Sequence, residues 1–76
     1  MNIDEAVKLA LAELAEARID YPNFHSGHEG WAVMKEEVEE LWEAVKLKPG
    51  NYRRDLMRHE AIQVAAMALR FLTDVC

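Results

Sequence analysis

Every proline and glycine in this 76-residue chain falls in one of two short windows. Pro22, Gly27 and Gly30 lie in the first window, and Pro49 and Gly50 in the second. The stretches outside them carry no helix breaker, and none shows the apolar alternation of a strand. The spacing predicts an all-α, single-domain chain over residues 1–76, with three helices and two short connections.

Each helix has a readable start. Asn2 precedes a helix over Ile3 to Arg18, and Glu5 follows it at capping-box spacing. Tyr21-Pro22 ends that helix. Ser26 and Glu29 repeat the pattern before a second helix that runs to about Leu47. Lys48-Pro49-Gly50-Asn51 is a turn, and the third helix is expected from about Asn51 to Val75. Ile3, Val7, Leu11 and Leu14 form one apolar stripe. Trp31, Met34, Val38, Leu41, Trp42 and Val45 form the apolar face of the second helix, where Trp42 reads as core. The third helix opens with Arg53, Arg54, Asp55 and Arg58, but from Ala61 to Leu72 only Gln63 and Arg70 interrupt its apolar character. A helix apolar all round must be covered all round. A chain this short buries only about 60% of its unfolded surface, so it cannot supply that cover alone. The expectation is an antiparallel hairpin of helices two and three in a bundle completed by homo-oligomerisation, as a homodimer or dimer of dimers.

Composition narrows the partners. A formal net charge of −5 argues against nucleic acid. No apolar run approaches the length needed to span a bilayer, so no membrane role is expected. The opening Met1-Asn2-Ile3-Asp4-Glu5 is acidic and does not read as a signal peptide. Cys76 is the lone cysteine, which excludes an intrachain disulfide and fits a cytoplasmic protein.

The charge is unevenly placed. Residues 26–47 carry six acids against two lysines, whereas residues 51–76 carry four arginines against three acids. Glu40 and Glu60 lie ten residues either side of Gly50, and Glu37 and Gln63 lie thirteen either side. Folded as a hairpin, these four side chains share a slab about 4.5 Å thick. Two i, i+3 pairs on facing helices are how bundle metal sites are assembled, and carboxylates so gathered repel unless a cation sits among them. Glu39 and Glu43 read as a solvated face. Lys46, Lys48, Arg53, Arg54 and Arg58 read as a basic collar near one end of the acidic slab, suited to phosphate. His25 and His28 flank the second helix start and are too few for a metal site of their own; a loop or base-contact role is expected, with His28 among the substrate-binding residues. Trp31, near Phe24 and His28, is the candidate wall for a nucleobase.

The run Glu36-Glu37-x-x-Glu40, a nineteen-residue spacer and then Glu60-x-x-Gln63 resembles the EExxE…ExxD signature of the all-α nucleoside triphosphate pyrophosphohydrolases. That superfamily includes the MazG-like proteins and the dimeric dUTPases. The segment Glu60 to Ala68 is similar to the corresponding helix of a short MazG-like branch. The resemblance covers roughly Trp31 to Thr73. It implies that Glu37, Glu40 and Glu60 hold Mg2+ or Mn2+, with Gln63 as a further ligand. It implies that Glu36 is a ligand or orients the attacking water, so that Glu36, Glu37, Glu40 and Glu60 form the catalytic set. The implied reaction splits a nucleoside triphosphate into monophosphate and pyrophosphate. Gln63 stands where the family has Asp; its amide oxygen can ligate but brings no charge, so metal affinity should fall. The expected function is therefore such a hydrolase or a degenerate nucleotide-binding relative. The rival from another class is a non-enzymatic helical interaction module whose acids face solvent.

Overall fold

The computed structural model describes all residues from 1 to 76 and holds three helices and no strand: α1 (Ile3–Asp20), α2 (Gly27–Val45) and α3 (Asn51–Val75). Two of the three start as the sequence indicates. The Asn2 side chain accepts the Glu5 N–H at 2.9 Å, and Ser26 Oγ accepts the Glu29 N–H at 3.1 Å. Each bond satisfies one of the free N–H groups of a first helical turn. α3 has no such side chain; its N-cap is Gly50, whose φ of 155° is open to glycine. The cost at this turn is offset from the other side. Arg53 reaches back from α3 and donates from Nε to the Val45 carbonyl at 3.0 Å, which caps the end of α2.

α3 is the central element. α1 and α2 each pack on it and not on each other. α2 runs antiparallel to α3 through the turn at 46–50. α1 runs parallel to it, because Arg18 near the end of α1 pairs with Asp74 near the end of α3. The result is one layer of three helices, in the order α1, α3, α2. Small residues line its seams: Ala10 and Ala17 on α1, Ala44 on α2, and Ala66 on α3, which is wholly buried. Phe24 and Met67 complete the buried core, with Leu14, Val33, Met34, Phe71 and Val75 packed around it. Gly30 lets α2 come close to α3; a Cβ there would stand 2.7 Å from the Phe71 ring.

The apolar faces do not point where periodicity suggested. On α1 the alanine edge faces inward, while Ile3, Val7 and Leu11 are exposed. On α2, Met34, Leu41 and Val45 are partly buried. Trp31 and Trp42 are 57% and 56% exposed and Val38 is also outside, so Trp42 is not core. The reason is the single-layer arrangement: each outer helix has an apolar arc wider than its one neighbour, α3, can cover. No helix is long and apolar enough to cross a membrane.

Candidate metal centre

The two halves of the carboxylate site come from different helices. Glu37 and Glu40 stand one turn apart on α2, and Glu60 comes from the facing stretch of α3. The hairpin brings one carboxylate oxygen from each to within 4.8 Å of the others. Glu37 and Glu60 lie in the seam, half-buried, while Glu40 is at its open edge. Oε2 of Glu60 is buried with no hydrogen-bond partner. A buried carboxylate oxygen left in that state is costly.

The electrostatics carry the same message. Burial raises the Glu37 carboxyl to about 7, helped by the charges of Glu40 and Glu60, hydrogen bonding with Glu40, and the charge of Glu36. Glu60 is also raised, first by burial and then by hydrogen bonding with, and repulsion from, Glu40; His59 opposes this only in part. No lysine or arginine reaches the three carboxylates through an ion pair. A divalent ion fits this donor set: three carboxylates converge from two helices, Glu60 has an oxygen without any partner, and the groups repel without a cation.

Two hollows flank the cluster. One, of about 330 Å3, lies between the α1–α2 connection and α2, and its walls include Tyr21, Phe24, Val33, Glu36 and Glu37. The other, of about 360 Å3, lies toward the turn, against Glu40, Glu60, Leu47 and Tyr52. Glu36 is exposed on the lip of the first. Gln63 is half-buried one turn beyond Glu60.

Other expected site residues are placed elsewhere. Trp31 is on the outer side of α2, and the walls of the hollow beside the carboxylates are Tyr21 and Phe24 instead. His28 is exposed in the first turn of α2, and His25 is paired with Glu29 at 3.3 Å. The basic collar is dispersed. Arg53 is bonded to Val45, and Lys46 pairs with Glu43 at 2.8 Å while lying over the Trp42 ring. Arg54 and Arg58 line a groove of about 440 Å3 between α1 and α3, together with Ala6, Ala10, Ala61 and Ala65. Helical phase explains two of these: Arg54 and Arg58 lie about 120° or more around α3 from Glu60, whereas Arg53, two turns before Glu60 on the same side, is held by the Val45 carbonyl.

Sequence reasoning missed a second charged cluster. Arg70 is buried, stacked over Phe24 at 4.0 Å, and donates to the Pro22 carbonyl. Asp74 accepts the Phe24 N–H at 3.1 Å and pairs with Arg18 at 3.0 Å and with Arg70 at 3.6 Å. Arg18 also bonds to Thr73. Burial pushes the Asp74 carboxyl up, but the Phe24 hydrogen bond and the two guanidiniums outweigh it and hold the group below its ordinary value. This cluster fixes the residue 21–24 connection that forms the wall of the first hollow. Its one signal was Arg70, a cation set in an apolar run.

Comparison with family models gives no match for this chain. Comparisons with curated proteins and with solved structures give none either.

Proposed function

We propose that this chain is a MazG-like, Mg2+-dependent nucleoside triphosphate pyrophosphohydrolase, or a degenerate relative that binds nucleotides, acting as a homodimer or dimer of dimers. The carrying observation is the meeting of Glu37, Glu40 and Glu60 within 4.8 Å with no cation of the chain's own. In this reading those three residues hold the ion, and Gln63 stands in reserve with its neutral amide. When bound, the ion supplies Lewis acidity and charge neutralisation at a phosphoryl oxygen.

The remaining work belongs to side chains. Glu36, exposed beside Glu37, is free to accept a proton from water at the lip of the hollow. Tyr21 and Phe24 offer aromatic walls for the base. The Arg70–Asp74 cluster keeps those walls in place. No arginine is aimed at the cluster, so phosphate charge is met at the ion rather than at a collar.

The test is calorimetric titration with Mg2+ and Mn2+, with and without a nucleoside triphosphate, followed by a screen for released pyrophosphate. The expected result is ion binding that disappears in Glu60→Gln, and pyrophosphate release from at least one nucleotide. Absence of ion binding even with nucleotide present ends the proposal. The exposed Trp31, Val38 and Trp42 favour the second reading, a helical interaction module. Under that reading Glu37→Gln and Glu60→Gln leave partner binding unchanged.

A further inference from the structure

Seven of the twelve large exposed apolar residues share one face. At about 100° per residue, Ile3, Val7 and Leu11 on α1, Ala61, Ala65 and Leu72 on α3, and Trp31, Val38 and Trp42 on α2 all turn to one face of the three-helix layer. Glu36 and Glu40 turn to the other. The groove between α1 and α3 opens on the same bare face. We propose that this face is self-complementary and is covered by the same face of a second copy, with the two α3 helices antiparallel and α1, α2 and α3 each lying over their own counterparts. The proposal takes the association suggested above and names its surface; it stands whether or not the carboxylates hold an ion.

The argument is one of matched levels. A two-fold axis lying in the interface, perpendicular to α3, requires each stripe to be centred at the same height along the layer. On α1 the stripe Ile3, Val7, Leu11 is centred on Val7. The Arg18–Asp74 pair offsets α1 from α3 by 56 residue numbers, which sets Val7 level with Gln63. On α3, Ala61 and Ala65 lie two residues either side of Gln63, while Leu72 lies nine beyond it. On α2, Trp31 and Trp42 are centred between Glu36 and Glu37, and Glu37 is level with Gln63 through the turn. Val7, the Ala61 and Ala65 pair and the Trp31 and Trp42 pair thus share one level.

Charge and size agree with a second copy as the occupant. About that centre, Trp31 falls opposite the partner's Trp42. Arg54 and Arg58 stand near the positive end of the α3 dipole, where no acid occupies the first turn. In the antiparallel arrangement they lie over the negative end of the partner's α3, whose last turn holds no basic residue. Ala61 and Ala65 at the centre permit close helix approach. The molecule measures 38 × 25 × 20 Å, so its broad face is on the order of 900 Å2, close to the roughly 800 Å2 per partner of a stable interface. Both carboxylate sites then face outward, one on each side, and neither borrows a residue from the other copy.

Sedimentation equilibrium at about 100 µM, where an interface of this size is mostly formed, tests the proposal. The wild-type chain should show twice its 8.7 kDa mass. Val38→Glu and Leu11→Glu, both at exposed positions, should weaken association at least about 100-fold with helical content unchanged. Ile19→Glu, which removes a more exposed apolar residue off this face, should leave the mass doubled. In a Cys76→Ser background, Val7→Cys at the centre should form a disulfide-linked dimer on oxidation, while Leu72→Cys should not. A monomeric wild type overturns both the association and its surface. A dimer that survives Val38→Glu and Leu11→Glu, or that cross-links through Leu72→Cys in place of Val7→Cys, overturns the surface and leaves association standing. A mass beyond twice that of the chain that falls to monomer in both face variants supports the face within a dimer of dimers. Loss of Mn2+ binding in Glu60→Gln with the mass still doubled separates this inference from the enzymatic reading.

Discussion

Two groups of carboxylates lie in the seams of this molecule, and they meet opposite fates. Asp74, with a side chain only 1% exposed, is surrounded by two guanidiniums and a backbone N–H, and is held in its charged form. Glu37, Glu40 and Glu60 have only each other, and Glu37 rises to about 7. The physical cost of burial is common to both groups; the difference lies in who supplies the positive charge. At one end of the layer the chain supplies it. In the middle it does not, and the acids hold their protons to higher pH instead. The electrostatically finished cluster fixes structure, while the unfinished one is where the proposed ion would supply the missing charge.

The largest effect should come from breaking the finished cluster. Arg70→Ala removes a buried cation from Asp74, from the Pro22 carbonyl and from the Phe24 ring. Breaking such a buried pair costs about 3 kcal/mol or more, so thermal unfolding should fall by about 15 °C, and the residue 21–24 connection should lose hydrogen-exchange protection. Next comes the unfinished cluster. Glu60→Gln should reduce pyrophosphate release by about 100-fold or more if the ion performs the chemistry, while the ion-free protein becomes slightly more stable by thermal melting. Opposite signs in stability for Arg70→Ala and Glu60→Gln are the sharpest form of the comparison.

A smaller effect is the pH response of the ion-free protein. The folded Glu37 binds its proton up to about 7, whereas the unfolded group releases it near 4.5. Between those values the unfolded state holds fewer protons, so stability declines as pH rises. The contribution is complete below about 4.5 and gone above about 7. Denaturant melts at several pH values should show this slope, and Glu37→Gln should flatten it. Saturating Mg2+ at pH 7.5 should raise the melting temperature, because an ion held only by the folded state stabilises it by mass action. The smallest effect should be at the surface pair Lys46–Glu43, where Lys46→Ala should cost less than about 0.5 kcal/mol by the same melts.

Helix number, the two helix caps and the level placement of Glu37, Glu40 and Glu60 were legible in the sequence. They depend on local signals and on counting across one turn. The orientation of the apolar stripes was not, because periodicity reports that a helix has an apolar arc and not which edge of that arc meets its neighbour. Alanines took the seams, and the large residues Ile3, Val7, Trp31 and Trp42 were left outside. The basic collar failed for a related reason. Proximity in sequence was read as proximity in space, whereas Arg53 and Arg54 point to different sides of one helix. The Arg70–Asp74 cluster was out of reach because its partners, Pro22 and Phe24, come from a connection some fifty residues earlier.

Gly30 has a wider consequence. Its missing side chain lets α2 close against Phe71, roughly two turns from Glu37. The carboxylates sit on two rods whose spacing is set at that pinch, so the gap between them is governed by a residue that never touches it. A methyl group at that position would wedge the rods apart and, in the proposed ion-binding reading, favour a larger ion over a smaller one without altering a single oxygen donor.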